Sequence, residues 1–195
     1  MKKLILASAS PRRRDLLLSL GLDFEVYVTD ADENVCESSP SELVKTLACR
    51  KAEAAAAKFP EAVVIAADTV VAAPGGEILG KPQNDGDAAR MLCCLSGNKH
   101  TVYTGVAVIS DGNLTVEAVP TDVYMREITD TEIRDYILTG EPRDKAGAYG
   151  IQGLGGIFVT RIDGEYFNVT GMPKEATARL LAGAGFDILK LNGIE

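Results

Sequence analysis

A chain of 195 residues, 46% of them hydrophobic, suits one globular domain or one domain divided by a cleft. Its net charge of −8 excludes general nucleic-acid binding, which needs a broad basic surface, and no stretch approaches the length of a membrane span. The positive charge is local, because Lys2, Lys3, Arg12, Arg13 and Arg14 all precede the first acid, Asp15, after which 15 basic residues face 28 acidic ones.

Residues 4–7 read as a short buried strand that enters a Ser-x-Ser-Pro turn, with Ser10 as N-cap and Pro11 as the first helical residue. Leu16, Leu17 and Leu20 form the apolar face of that helix, and Gly21 ends it. A second strand is expected over 24–28, followed by the acidic loop TDADENVCESS. Ser39 and Glu42 have capping-box spacing and open an alanine-rich helix to about residue 58. Residues 63–73 are almost continuously apolar and broken only by Asp68-Thr69, the pattern of a central strand. Pro74-Gly75-Gly76 turns the chain back through Ile78-Leu79 into Gly80-Lys81-Pro82.

A helix over 85–95 follows, stopped at Ser96-Gly97, and then long strands over 100–110 and 114–125 joined by Asp111-Gly112-Asn113. Thr129 and Glu132 form a second capping box, opening a helix that ends at Gly140. A glycine-rich loop, a strand over 157–162 and a last helix from Pro173 to about 184 complete the order. Interleaved strands and helices with a central hairpin predict an α/β fold with a mixed sheet.

Four cysteines without CxxC spacing and a single histidine, His100, argue against a zinc site and for a reduced, cytoplasmic setting. The opening MKKLILASA imitates a secretory leader, but its apolar core is too short and the arginines follow at once. A homodimer is the default expectation for assembly.

Three arginines behind a helix-opening Ser-Pro carry the first chemical signal. A helix N-terminus already bears partial positive charge, so cations there are unfavourable unless an anion sits nearby. Backbone amides, the hydroxyls of Ser8 and Ser10, and the guanidinium groups of Arg12 and Arg13 converge on one helix end, the arrangement expected of a phosphate site; the alternative is a solvated basic cap whose stems cover apolar surface. Arg14 reads as a solvated neighbour.

Asp68 follows five apolar residues and, with Thr69, precedes four more, and an unpaired carboxylate there is costly. At a strand end facing phosphate it could hold a divalent metal or orient a water. Glu33 lies in an acidic loop that would otherwise be a solvated charge run. Lys51 falls on the apolar stripe of its helix with Leu43, Leu47 and Ala54, so its amine either snorkels outward or points into a cleft. Lys81, between a glycine and a proline, sits on a turn able to aim an amine at phosphate. In GAYGIQGLGG, the glycines either permit positive φ or let a flat ring approach, with Gln152 offering a donor and an acceptor to a base edge. His100 is expected to be structural, and no nucleophile triad is expected.

With LASASPRRRDLL, CRKAEA, AADTVV, GKP, LSGNKHTVYTGVAV, DKAGAYGIQGLGG and NVTGMP in order, nearly the whole chain resembles the Maf family of nucleotide pyrophosphatases. The resemblance implies an α/β fold with a deep cleft, related to inosine-triphosphate pyrophosphatases. It also implies metal-dependent hydrolysis of a nucleoside triphosphate to the monophosphate and pyrophosphate, with magnesium, manganese or cobalt. By the same resemblance, Asp68 matches the general base, and Arg12, Thr69 and Gln152 match positions tied to substrate choice. Glu33, Lys51 and Lys81 match polar residues that line the cleft. Glutamine in YGIQG resembles the dTTP/UTP branch, which implies dTTP, UTP and modified pyrimidine triphosphates as substrates; the 7-methyl-GTP branch usually carries an acid in this loop. MPKE after Gly171 departs from an LPL-like run.

The expected mechanism places metal and water at the α-phosphorus near Asp68, with Glu33 as the second metal carboxylate. Arg13, Lys51 and Lys81 then meet charge on the leaving pyrophosphate. The alternative of a different class is a nucleotide-binding regulator of septum formation, whose mark would be missing catalytic carboxylates. Glu33 and Asp68 are both present.

Overall fold

The computed structural model describes residues 2–35, 37 and 39–193. Its strands are β1 (Leu4–Leu6), β2 (Glu25–Val26), β3 (Val63–Ala72), β4 (Ile78–Leu79), β5 (Lys99–Ser110), β6 (Asn113–Met125) and β7 (Val159–Asp163). They form one sheet of order β2-β1-β3-β5-β6-β7, with β4 paired to β3 off that path. β1 is parallel to both β2 and β3, whereas β4 on β3 and β7 on β6 are antiparallel. The fold is therefore α/β with a mixed sheet, as the element order predicts.

The helices are α1 (Pro11–Leu18), α2 (Pro40–Ala56), α3 (Asp85–Leu95), α4 (Asp130–Leu138), α5 (Tyr166–Val169), α6 (Lys174–Gly183) and α7 (Ile188–Leu191). The chain divides into two compact units, and the division passes through β3, β5 and β6. One unit gathers Met1–Asp68, Thr104–Val119 and Gly171–Glu195; the other gathers Thr69–Tyr103 and Pro120–Thr170.

In the first unit, the alanine face of α2 (Ala48, Ala52, Ala55) packs on Ile5, Ala7, Val64, Ala66, Ala107 and Ile109. Methyl-sized side chains let the helix approach the strands closely. At Gly105 the approach is closest, because a Cβ there would overlap the Val44 carbonyl of α2. The β5–β6 hairpin turns on Asp111 and Gly112, both at positive φ (51° and 74°), the pairing a right-twisted hairpin favours.

In the second unit, α3 contributes Ala88, Met91, Leu92 and Leu95, and α4 contributes Ile133, Tyr136 and Ile137. They share one core with Val71, Val102, Val123 and Met125. The Thr129–Glu132 capping box is formed in both directions, and Arg126 adds two bonds to Glu132, holding that carboxyl down at about 2.

Four expectations need correction. Ser39 is the N-cap of α2 but makes no side-chain cap bond, and the Glu42 carboxylate that would return the box's second bond pairs with Lys45. The strand expected over 24–28 is only Glu25–Val26, and both residues are exposed. The strand expected from 157 starts at Val159, because Leu154–Phe158 winds as a 3-10 helix and leaves Ile157 exposed. The helix expected to be last, α6, is followed by α7. Among the described residues Cys49, Cys93 and Cys94 are free, and Cys36 lies outside them.

Candidate active site

The carboxyl ends of parallel strands are where open α/β sheets bind ligands, because the following loops converge there without side chains of their own layer in the way. In the first unit this end carries Ser8 to Arg13 after β1, the acidic loop after β2, and Asp68 on β3. The amide of Ala7 donates to Ile65 O at 2.8 Å, which carries the β1–β3 register up to Ser8.

Ser10 occupies the N-cap position of α1, yet its hydroxyl caps nothing. Two residues upstream, Ser8 Oγ accepts from the Ser10 amide and from Arg13 Nη1, each at 3.2 Å. Arg13 Nε also donates to the Gly171 carbonyl at 2.9 Å. Burial lowers the Arg13 pKa, and the Arg12 charge acts the same way, against the opposing fields of Asp68 and Glu33. Arg13 is thus fixed at both ends of its guanidinium and lies within the field of the carboxylates. The part played by Gly171 is not legible in sequence, since a backbone acceptor leaves no residue-type signal. Arg14 is exposed, as expected.

Lys51 points inward. Its Nζ lies 2.5 Å from Asp68 Oδ1 and 2.7 Å from Glu33 Oε1; the Lys51 and Asp68 side chains are each 14% exposed, and Glu33 is 65% exposed. The acidic loop is fastened one helix position earlier, where Arg50 Nη1 donates to Asp32 O at 2.9 Å. Two carboxylates from separate segments therefore meet on one point charge. A divalent cation that keeps waters or substrate oxygens needs only one or two protein carboxylates. Asp68 and Glu33, already converging on a cation, fit that requirement. No group of three His, Cys, Asp or Glu side chains suited to a metal occurs among the described residues.

Thr69, next along β3, is half-buried and belongs to the second unit. In that unit Lys81 is exposed and, with Gly80, Asn84, Asp87 and Arg90, lines an open hollow of about 650 Å³. Gln152 is exposed in the glycine-rich loop. The Gly147 amide donates to the Gly80 carbonyl at 3.0 Å, tying the Lys81 turn to the loop that carries Gln152. Tyr149 of the loop is anchored by a 2.8 Å bond between its hydroxyl and His100 Nε2. Burial brings His100 down to about 4 and pushes Tyr149 up, so both stay neutral at physiological pH. His100 is structural, as expected. In residues 147–156 only Gly147 and Ala148 have positive φ; the remaining glycines serve close packing rather than turn geometry.

The sequence profile of the Maf family, described as Maf-like protein, matches residues 3–184. The chain belongs to the Maf family. It is 49% identical over 187 residues to a protein of Geobacillus sp. (strain WCH70), covering 95% of this chain and 100% of that one. It is 50% identical over 191 residues to a protein of Moorella thermoacetica, covering 96% and 98%. A third relative, from Alkaliphilus metalliredigens, is 49% identical over 177 residues, covering 89% and 91%. All three relatives of this Maf chain carry the name dTTP/UTP pyrophosphatase. A looser likeness, at 20% identity and a TM-score of 0.47, is to the solved Ham1 protein of Staphylococcus aureus, over 64% of this chain and 72% of that one.

Proposed function

We propose that this Maf-family chain hydrolyses nucleoside triphosphates, dTTP and UTP foremost and modified pyrimidine nucleotides with them, to the monophosphate and pyrophosphate. The observation that carries the reading is the meeting of Asp68 and Glu33 on one cationic centre, with Arg13 held in their field. The names of its relatives support the substrate class.

Asp68 orients the attacking water and takes its proton. Its carboxylate is suited to this, since Lys51 fixes one oxygen and leaves the other to accept. Arg13 and Lys51 supply positive charge where negative charge grows on the leaving pyrophosphate, and Lys81 is assigned the same task. Ser8, Ser10 and Arg12 hold phosphate oxygens at the start of α1. Thr69 and Gln152 position the nucleotide and read its base. A divalent cation (Mg²⁺, Mn²⁺ or Co²⁺) held by Asp68 and Glu33 would supply Lewis-acid polarisation of phosphate oxygens. The activity fits a housekeeping enzyme of the cytoplasmic nucleotide pool. A purely regulatory role in septum formation is not favoured, because both carboxylates are present.

The test is a pyrophosphate-release panel over dTTP, UTP, modified pyrimidine triphosphates, 7-methyl-GTP and purine triphosphates with each metal. Release from dTTP and UTP above the others is expected. Binding without release under every metal would leave the regulatory role standing, and preference for 7-methyl-GTP would move the chain to the other branch.

A further inference from the structure

We infer that Glu141 is the positioning residue of the base-reading loop: its carboxylate sets the shape of residues 150–156 and thereby the place of Gln152. The inference rests on the function proposed above.

Residues 150–156 lie outside the sheet and the α-helices; besides two turn bonds of their own, from the Gly153 amide to the Gly150 carbonyl and from the Gly156 amide to the Gly153 carbonyl, each 3.2 Å, they are held by one carboxylate. Glu141 Oε2 accepts from the Leu154 amide at 2.8 Å, and Oε1 accepts from the Gly155 amide at 3.1 Å and from the Tyr136 hydroxyl at 2.9 Å. The Tyr136 hydroxyl in turn accepts from the Gly150 amide at 3.1 Å. Lys145 Nζ donates to the Glu141 carbonyl at 2.7 Å. The loop therefore closes around Glu141 and Tyr136, with bonds landing on both sides of Gln152.

The glycines supply the second, independent observation. A Cβ on Gly153 would overlap the Glu141 carboxylate, and one on Gly155 would come within 2.5 Å of the Tyr136 hydroxyl. On Gly150 it would come within 2.5 Å of Lys145 Cε. Gly153 and Gly155 are thus required by contact with this one cluster, whereas at Gly150 only the flexible end of Lys145 would have to move. Burial alone would raise the Glu141 pKa, but the amides of Gly155 and Leu154, the Tyr136 hydroxyl and the Lys145 charge outweigh it and hold the carboxyl below its usual range. The sequence signal is an acid between a glycine and a proline, upstream of a glycine-rich loop.

The test uses the full chain and steady-state pyrophosphate release from dTTP and from GTP. Glu141→Gln keeps size but turns an N–H₂ toward one of the loop's own donors. It is expected to raise KM for dTTP at least about tenfold, with kcat within about threefold, and to erode the dTTP-over-GTP preference similarly. Gln152→Ala should show the same pattern, and the double variant should be no worse than either single one, because both act through one loop position. Tyr136→Phe removes only a hydroxyl and should shift the same quantities in the same direction by less. A folded Glu141→Gln that keeps KM and base preference overturns the inference, as does a double variant whose effects multiply. If Gln152→Ala leaves base preference intact while the unaltered protein is active, the loop does not read the base and Glu141 has nothing to position. If the unaltered protein releases no pyrophosphate, the proposed reaction fails, and the inference with it.

Discussion

Replacing Asp68 by asparagine separates the chemical role of this carboxylate from its structural one. The structural loss is modest. Asparagine still offers an oxygen to Lys51 Nζ, now 2.5 Å from Asp68 Oδ1, and Lys51 retains Glu33 at 2.7 Å. What disappears is the charge on one hydrogen bond, worth about 1 kcal/mol, since charge-assisted bonds are roughly twice as strong as neutral ones. For a chain of this length that lowers the melting temperature by about 2–4 °C. The chemical loss is larger: a positioned general base contributes roughly 10²–10⁴ in rate. Turnover at saturating dTTP should therefore fall at least about a hundredfold, while calorimetry still shows nucleotide binding. Turnover within about threefold of the original would refute the general-base assignment. A raised KM with kcat unchanged would make Asp68 a binding residue instead.

Three further outcomes are expected. Lys51→Met strands two carboxylates, and removing one partner of a largely buried pair costs about 3 kcal/mol. Melting should drop accordingly, and millimolar Mg²⁺ or Mn²⁺ should restore more of it than it adds to the unaltered protein; no selective rescue would count against the carboxylates holding a cation. His100, the sole histidine, titrates at about 4 in the fold against about 6.5 when unfolded, chiefly through burial. The depressed value favours neutral imidazole in the folded state, so stability is lost as pH falls from about 6.5 toward 4, by about 2 kcal/mol at pH 5. Denaturation curves at pH 7 and pH 5, with an NMR titration of the imidazole, check this; a folded value near 6.5 would contradict it. Gly105→Ala should destabilise the first unit strongly, because the new methyl meets α2 backbone rather than a side chain that can move. A melting temperature within about 2 °C of the original would show that α2 gives way cheaply.

How much of this was legible in sequence depended on the range of each interaction. Pro11 and the inward lean of Arg13 follow from local geometry and stand, whereas the bond from Arg13 to Gly171 spans most of the chain. The two capping boxes show the limit of local pattern. Thr129–Glu132 forms, with Arg126 reinforcing the glutamate. Ser39–Glu42 does not: the Ser39 hydroxyl caps no amide, and Lys45 takes the carboxylate. Lys51 lay on an apolar stripe that equally allowed an outward amine, and only the approach of β3 and the acidic loop decides for the inward one. The late start of β7 has the same kind of cause: Leu154 and Gly155 are held by Glu141, so the chain winds through Phe158 before it can extend.

The most direct measurement is a single turnover of dTTP by the unaltered protein in ¹⁸O-enriched water, with the products resolved by mass. Attack of the Asp68-oriented water on the α-phosphorus predicts one ¹⁸O in the monophosphate and none in the pyrophosphate. Label in pyrophosphate or in free phosphate would contradict it, because water would then have reached a different phosphorus.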